Sequence, residues 1–255
     1  MRKLLLTLPL GYFVLTRLNT KRAIIFHAYY EYLSAILLLI YFGSNVENAL
    51  KYFGLGYLAF IALYEIGYIF NDYFSIKFEV NPRLRIKNIK ISLADIIIFI
   101  ALRISVFLAI SYYLKVYSNY SWWIFYIALA LMFYLHNILK SKPLKTFTFS
   151  SLAFFRFYAP IFPFLAIAGI INTLPGVILF YIFFRTLTYM DSKDLIKFEG
   201  RNTIPFKVHY YLLFLPVSII ISILLNHPFT VFFNIYFLLF WLSFLFVSKF
   251  NIVKI

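Results

Sequence analysis

The chain has 255 residues, of which 64% are hydrophobic and only 13% are charged, and its mean hydropathy is +0.88. This composition excludes an ordinary soluble domain and indicates an integral membrane protein. The net charge of +15 comes with no recognised nucleic-acid-binding motif, so we expect lipid headgroups and not nucleic acid as its partners. The absence of cysteine from the sequence excludes disulfides, thiolate catalysis and cysteine-ligated metals.

The N-terminal apolar run is too short to cross a bilayer. It covers residues 4–15, follows Arg2 and Lys3, and is followed by basic residues where a signal peptide would have a cleavage site. We therefore predict an interfacial helix within residues 1–22, with an uncleaved anchor as the alternative.

Long apolar runs recur along the rest of the chain, and each is close to the roughly 20 residues that cross the hydrocarbon core of a bilayer. We predict an all-α, polytopic membrane bundle with eight spans, and nine spans as the alternative. The predicted spans cover residues 23–43, 52–70, 93–114, 121–139, 149–171, 174–190, 208–226 and 228–248.

Basic residues are concentrated in three of the loops between these spans, whereas the opposite loops carry only Lys51 and Lys115. Because loops rich in lysine and arginine stay in the cytoplasm, we expect both termini and the three basic loops to be cytoplasmic. The basic residues of these loops are Lys77, Arg83, Arg85, Lys87 and Lys90, then Lys140, Lys142 and Lys145, then Lys193, Lys197, Arg201 and Lys207.

The pattern is that of a single membrane domain, residues 1–255, with two similar halves. Each half, residues 23–140 and 141–255, has two spans, a loop with acidic and basic residues, and two further spans. The sequence Ile-Lys-Phe-Glu occurs at residues 76–79 and again at residues 196–199, in corresponding loops. This placement favours a parallel internal repeat that would bring both loops together around a central cavity.

Acidic residues are few, and most of them cluster at these two loops. Glu65, Asp72 and Glu79 are spaced by seven, nearly two helical turns, so a continuous helix would place them on one face. Asp191 and Asp194, three residues apart, would also share a helix face. Because Mg²⁺ takes one or two carboxylates with phosphate oxygens and water, the clusters predict a magnesium–diphosphate site at the membrane surface. The alternative is a set of solvated acids paired with neighbouring lysines.

The first cluster resembles a motif of the UbiA superfamily of intramembrane prenyltransferases. The family's motif has the form N-D-x-x-D-x-x-x-D, and Asn71-Asp72 matches its start. Glu79 stands where the final aspartate would be, and Ser75 replaces the middle aspartate. The residues that resemble the basic tail of the motif are Asn81, Pro82, Arg83 and Arg85.

The second cluster resembles the family's second motif, D-x-x-D followed by Gly-x-x-Thr. Asp191 and Asp194 match its first part, and Gly200 and Thr203 match its ending. Residues 139–143 resemble the family's Leu-Lys segment after the fourth span. The resemblance covers nearly the whole chain in order and spacing, although the family usually has nine spans.

The resemblance implies transfer of an isoprenyl group from a prenyl diphosphate to an acceptor in the membrane, with Mg²⁺ bound to the diphosphate. It implies that Asp72, Asp191 and Asp194 are catalytic and that they bind the metal together with Glu79. The acceptor is open among an aromatic compound, a quinone precursor and a glycerol-phosphate lipid. The residues to which we assign diphosphate binding are Asn71, Arg83, Arg85, Lys140, Lys142, Arg185, Lys193 and Arg201.

Charged residues inside the predicted spans are further candidates, because burying a charge in a membrane is costly. Arg156 and Arg185 are either substrate ligands or partners in structural ion pairs. A structural ion pair is the alternative, for example Arg103 with Asp95 or Glu65 with a neighbouring cation, and for Arg103 and Glu31 it is the interpretation that we favour.

Two other functions stay open. Ser75 brings no charge to a metal ion, which favours a non-catalytic protein of the same fold that binds isoprenoid lipids or quinones. A secondary transporter built on a parallel repeat would need broken helices with ligands near the membrane midplane, whereas these acids lie at the ends of the predicted spans.

Overall fold

The computed structural model describes residues 6–73 and 91–249, which form helices and turns without any strand. This confirms the predicted all-α class. The α-helices in this part of the chain are α1 (Gly11–Arg17), α2 (Lys21–His27), α3 (Ser34–Tyr41), α4 (Val46–Tyr73), α5 (Leu93–Tyr113), α6 (Tyr120–Ile138), α7 (Lys142–Tyr158), α8 (Ile167–Val177), α9 (Phe184–Ser192), α10 (Ile204–Leu213), α11 (Leu215–Leu224) and α12 (Phe229–Lys249).

Two of the long helical rods contain a π-helical turn. Ala28–Leu33 joins α2 to α3, and Ile178–Phe183 joins α8 to α9. Turns of this kind insert an extra residue into the helix and often occur at functional positions. Here the first one carries Glu31, which takes part in a buried ion pair.

Seven helical segments of the described chain are long and apolar enough to cross a membrane. They support a multi-pass membrane protein in a lipid bilayer, with one such segment fewer than the predicted eight. The segments are Ala23–Tyr41, Val46–Tyr73, Leu93–Tyr113, Tyr120–Ile138, Ile167–Ser192, Ile204–Leu224 and Phe229–Ser248.

The difference from the predicted count lies in the span expected over residues 149–171. Helix α7 ends at Tyr158 after 17 residues, a turn follows, and α8 begins at Ile167. Pro160 and Pro163 lie in that turn, and proline ends helices because it lacks a backbone N–H. The expected fifth span is therefore two helical pieces, and the second piece belongs to the next span.

The described residues form two compact units. Unit 1 takes its residues from Met1–Leu139 and Phe155–Phe164, and unit 2 takes its residues from Lys140–Phe154 and Leu165–Ile255. In unit 1, α4 packs against α1, α3, α5 and α6. A Cβ at Gly67 of α4 would lie 2.5 Å from the ring of Phe133, so this glycine permits the close approach of α6.

The N-terminal segment of unit 1 packs against its long helices. Tyr12 and Phe13 of α1 are fully buried. The Tyr12 ring meets the ring of Phe99 of α5 edge-on, with 5.9 Å between the centroids. Helix α1 lies within the predicted N-terminal segment, and its contacts are with α4 and α5.

In unit 2, α12 packs against α8, α10 and α11. The π-helical turn Ile178–Phe183 binds α10 through two tyrosine hydroxyls. Tyr210 donates to the carbonyl oxygen of Leu179 at 2.6 Å, and Tyr211 donates to that of Phe180 at 3.0 Å. These hydrogen bonds join neighbouring helical segments of unit 2, as is common in membrane proteins.

Candidate functional site

Asp72 lies in the last turn of α4, and among the residues that the structure describes, the side chains of Tyr12, Asn71 and Arg17 contact its carboxylate. Tyr12 donates its hydroxyl to Oδ2 at 3.0 Å, Asn71 Nδ2 donates to Oδ1 at 2.9 Å, and Arg17 Nη2 lies 3.5 Å from Oδ2. The Asp72 side chain is only 2% exposed. The predicted Asn71-Asp72 pair therefore meets two residues of α1 that the sequence did not suggest.

A buried ion pair fixes the N-terminal segment against α4 and α5. Arg103 Nε donates to Glu65 Oε2 at 2.8 Å, and neither side chain is exposed. Arg103 also donates to the carbonyl oxygens of Leu6 and Leu8, at 3.0 and 2.6 Å. The Phe13 N–H donates to Glu65 Oε1 at 2.7 Å. Both partners of the pair thus bind the N-terminal backbone, which places α1 beside the end of α4.

This pair confirms one expectation and corrects another. Glu65 has the expected cationic partner, but Arg103 does not pair with Asp95. Asp95 instead caps α5, because its Oδ2 accepts from the Ser92 N–H at 2.8 Å and its own N–H donates to Ser92 Oγ at 3.2 Å. Glu65 and Asp72 both bind residues of α1, which agrees with the predicted shared face. The buried ion pair with Arg103, however, gives Glu65 a structural role.

Arg156 belongs to a second buried charge network of unit 1. It donates from Nε to Glu31 Oε1 and from Nη1 to the Tyr68 hydroxyl, both at 2.7 Å. His27 Nδ1 lies 3.0 Å from Glu31 Oε2 and 3.3 Å from Arg156 Nη2. Of the two roles considered for Arg156, the structural ion pair accounts for its burial.

The second acidic cluster begins at the C-terminal end of α9. Asp191 Oδ1 accepts from the Phe198 N–H at 3.0 Å, and its Oδ2 forms an ion pair with Arg201. Arg201 Nη1 also donates to the carbonyl oxygen of Thr188 at 3.1 Å. Asp191 and Arg201 together close the loop over residues 191–201 onto the end of α9.

Asp194 does not share a helix face with Asp191, contrary to the expectation from their spacing. Helix α9 ends at Ser192, and Asp194 has a left-handed backbone with φ of 58°. The Leu195 N–H donates to the carbonyl oxygen of Met190 at 3.0 Å, which closes the helix with a capping turn. Asp194 is therefore an exposed residue beyond the helix end.

The Gly-x-x-Thr ending of the second motif forms the turn before α10. Gly200 has φ of 73°, a left-handed conformation that favours glycine. The Thr203 N–H donates to the Gly200 carbonyl at 2.8 Å, and Thr203 Oγ1 caps α10 by accepting from the Phe206 N–H at 3.4 Å. This turn carries Arg201, which reaches back to Asp191.

Two of the lysines predicted to bind diphosphate meet at the end of α9. Lys142 Nζ donates to the backbone carbonyl of Lys193 at 3.3 Å. Lys193 Nζ lies 5.8 Å from the centroid of the Tyr189 ring. Lys140 is exposed. Unit 2 therefore brings Lys142 and Lys193 together and holds them next to the second motif.

Arg185 lies in the same rod, six residues before Asp191. Its Nη1 donates to the Tyr181 hydroxyl at 3.1 Å, and its Cζ lies 5.1 Å from the centroid of that ring. Tyr181 thus orients the guanidinium one to two helical turns before the second cluster.

Part of the predicted first cluster lies outside the described residues, namely Ser75, Glu79, Arg83 and Arg85. Their roles stay predictions. Within residues 6–73 and 91–249, no three His, Cys, Asp or Glu side chains form a group that could hold a metal ion.

The described donors still suit a Mg²⁺ ion that arrives with an anionic ligand. Asp72, Asp191 and Asp194 offer carboxylate oxygens, and Mg²⁺ usually takes one or two of these with phosphate oxygens and water. Asp72 and Asp191 each contact an arginine. A metal ion can compete for these carboxylates if the arginine gains another anionic partner.

Tyr12 and Arg17 are the candidates that the sequence did not reveal. In the sequence, Arg17 stands out only as one of the basic residues that follow the N-terminal apolar run. Arg17 and Asp72 are 55 positions apart, and no periodicity or motif connects them. The one usable signal is chemical: a carboxylate at the end of an apolar helix needs a cation or hydrogen-bond donors.

Comparison of the chain with protein-family models, with curated proteins and with solved structures finds no match. The functional assignment therefore rests on the two motifs and on the contacts of their residues.

Proposed function

We propose that this protein transfers an isoprenyl group from a prenyl diphosphate to an acceptor within the membrane and releases diphosphate, with Mg²⁺ as its cofactor. One observation carries the proposal. Asp72 and Asp191, the leading aspartates of the two motifs, each lie at the end of an apolar helical segment and each contact an arginine.

An aspartate–arginine pair can be opened by a ligand that carries both charges. Mg²⁺ bound to a diphosphate presents a cation to the aspartate and anionic oxygens to the arginine. In unit 2 such a ligand would meet Asp191 and Arg201, with Lys142 and Lys193 at the same helix end. Arginine binds carboxylate and phosphate groups with the same bidentate geometry, so Arg201 can exchange the Asp191 carboxylate for a phosphate group.

In this mechanism one set of residues binds the metal ion and another set binds the diphosphate. Asp72 in unit 1, and Asp191 and Asp194 in unit 2, are the carboxylates that would bind Mg²⁺, with Glu79 as the further ligand that the resemblance implies. Bound Mg²⁺ would neutralise the charge that develops on the departing diphosphate. Preorganised donors stabilise the same charge. The proposed donors are Asn71, Arg83, Arg85, Lys140, Lys142, Arg185, Lys193 and Arg201.

An aromatic cluster lies near Asp72 along α4 and α6, and in the proposed reaction such rings would stabilise a cationic isoprenyl group. Tyr68 meets Tyr64 edge-on at 4.9 Å and Phe133 edge-on at 6.0 Å, between ring centroids. Ring faces attract cations, and apolar walls exclude the water that would quench an allylic cation. The acceptor that captures it is an aromatic compound, a quinone precursor or a glycerol-phosphate lipid.

The proposal includes an eighth span and a shared cytoplasmic side for both acidic clusters. Helix α7 has 17 residues, which at 1.5 Å per residue is about 25 Å and lies at the short end of the range for spanning helices. If α7 crosses the membrane, the basic loops of the sequence all stay on one side. If it does not, Asp72 and Asp191 fall on opposite sides.

Replacement of one carboxylate by its amide tests the assignment. Asp72→Asn and Asp191→Asn should each lower Mg²⁺-dependent prenyl transfer by roughly 100-fold or more, because an amide cannot replace the lost charge. Transfer of labelled geranylgeranyl groups to a panel of the three acceptor classes measures this. Glu47→Gln, at an exposed acid of the same helix as Asp72, is the control and should keep full transfer. Full activity in both aspartate variants would refute the assignment.

A second function is favoured by Ser75, the uncharged residue at the middle position of the first motif. A non-catalytic relative would bind isoprenoid lipids or quinones without turnover. Ser75→Asp distinguishes the two functions. If the wild-type protein is inactive because this carboxylate is missing, the variant should create or raise prenyl-transfer activity. An active wild type with a neutral or harmful Ser75→Asp would exclude the non-catalytic protein.

A further inference from the structure

Arg17 uses only part of its hydrogen-bonding capacity. Its Nη2 lies 3.5 Å from Asp72 Oδ2, and its Cζ lies 4.1 Å from the centroid of the Tyr68 ring. Its Nη1 is buried and has no hydrogen-bond partner among the residues that the structure describes. A buried guanidinium N–H without an acceptor is costly, so this nitrogen is suited to a ligand oxygen.

The position of Arg17 is fixed by the rest of α1. Tyr12 donates its hydroxyl to Asp72, and the Thr16 hydroxyl donates to the Tyr12 carbonyl at 2.7 Å. The Phe13 N–H is held by Glu65. The Arg17 side chain is 14% exposed, so it reaches the surface without being an ordinary solvated arginine.

We propose that Arg17 is an oxyanion-binding residue, which holds an anionic oxygen of a magnesium-complexed diphosphate beside Asp72. The inference rests on the proposed function, and it adds a ligand from the N-terminal segment, outside both acidic motifs. Asp72 would bind the cation of the complex and Arg17 would bind an anionic oxygen. The arginine therefore has a negatively charged partner both without the ligand and with it. The Tyr68 ring holds the guanidinium plane, a stacking geometry that lysine cannot reproduce.

A purely structural salt bridge with Asp72 predicts different behaviour from an oxyanion-binding residue. If Arg17 only supports the fold, removing it weakens metal and diphosphate binding together. If Arg17 binds the anion, removing it weakens diphosphate binding alone. Metal binding is then unchanged or tighter, because a cation that competes with the metal for Asp72 has been removed.

The test measures two affinities on the full-length protein in lipid nanodiscs. One is the affinity for Mn²⁺ alone, followed by its electron paramagnetic resonance signal, since Mn²⁺ prefers the same oxygen ligands as Mg²⁺. The other is the affinity for inorganic pyrophosphate at saturating Mg²⁺, by titration calorimetry. Arg17→Gln should bind pyrophosphate about 10- to 100-fold more weakly, as expected for one charged hydrogen bond, without losing Mn²⁺ affinity.

Two further variants make the result specific. Lys21→Gln removes the same charge from an exposed position four residues later and should bind pyrophosphate like the wild type. Arg17→Lys keeps the charge without the planar fork and should fall between the wild type and Arg17→Gln, and it replaces Arg17→Gln if that variant does not fold.

The outcomes separate this inference from the proposed function. If wild-type protein binds pyrophosphate and Arg17→Gln binds it equally well, Arg17 is not a ligand and the proposed function stands. Equal losses of Mn²⁺ and pyrophosphate affinity would show a structural role and would also overturn the inference. If folded wild-type protein binds no magnesium pyrophosphate, both the proposed function and this inference fail.

Discussion

Glu65 and Arg103 form an ion pair with no exposed surface on either side chain, and Arg103 Nε lies 2.8 Å from Glu65 Oε2. The pair does more than join α4 to α5, because the same two side chains bind the backbone of Leu6, Leu8 and Phe13. The N-terminal segment is therefore part of unit 1, and the contacts of Tyr12 and Arg17 with Asp72 depend on it.

Breaking this pair from one side should strongly destabilise the protein. Arg103→Met leaves Glu65 as a buried charge without its partner, which typically costs about 3–5 kcal/mol. Unfolding by sodium dodecyl sulfate in mixed micelles measures the loss of free energy. The double variant Glu65→Gln with Arg103→Met should lose less than the sum of the two single variants. Strictly additive losses would show that the two side chains do not interact.

Two glycines of α4 should respond differently to alanine. A Cβ at Gly56 would lie 2.0 Å from the carbonyl oxygen of Pro160, whereas a Cβ at Gly54 meets nothing within 4 Å. Gly56→Ala should therefore destabilise by about 1–3 kcal/mol or more, because a backbone atom must move. Gly54→Ala should be neutral or slightly stabilising, since alanine favours helix. The same unfolding measurement compares them, and equal stabilities would contradict the packing of α4 on this turn.

The membrane crossing of α7 can be mapped directly because the chain has no cysteine. Single cysteines are placed at the exposed positions Ser118, Ser141 and Lys197 and labelled with a membrane-impermeant maleimide in oriented vesicles. We expect Ser141→Cys and Lys197→Cys to react from the same side and Ser118→Cys from the other. Reaction of the first two from opposite sides would mean that α7 does not cross and that the acidic clusters are separated.

Arg201 should contribute to diphosphate binding by exchanging the Asp191 carboxylate for a phosphate group of the ligand. Arg201→Gln removes a charged donor and should weaken binding of a prenyl diphosphate by about 10- to 100-fold. Lys197→Gln, an exposed position of the same loop, removes an equal charge and should have little effect. Equal losses in the two variants would point to a general attraction by the basic loop.

The sequence predicts the long helices well because each is a long apolar run. The span predicted over residues 121–139 is found as Tyr120–Ile138, and that over 228–248 as Phe229–Ser248. The bounds predicted over 149–171 differ from those of the structure, because a hydropathy pattern does not register Pro160 and Pro163, which end the helix inside an apolar run.

The site is less predictable because its partners come from tertiary packing. Asp72 and Asp191 stand out as carboxylates in an apolar chain, but nothing local shows that Tyr12 and Arg17 approach Asp72. The helix end at Ser192 depends on a left-handed residue, and spacing alone cannot reveal it. For the same reason Asp194 lies away from the face that the sequence assigns to it.

The most direct measurement is the binding of geranylgeranyl thiodiphosphate, an unreactive substrate analogue, to purified wild-type protein and to Asp191→Asn, each with and without Mg²⁺. The account predicts tight binding to the wild type only when Mg²⁺ is present, and loss of that binding in Asp191→Asn. No binding to well-folded wild-type protein, or equal binding to both proteins without regard to metal, would contradict it.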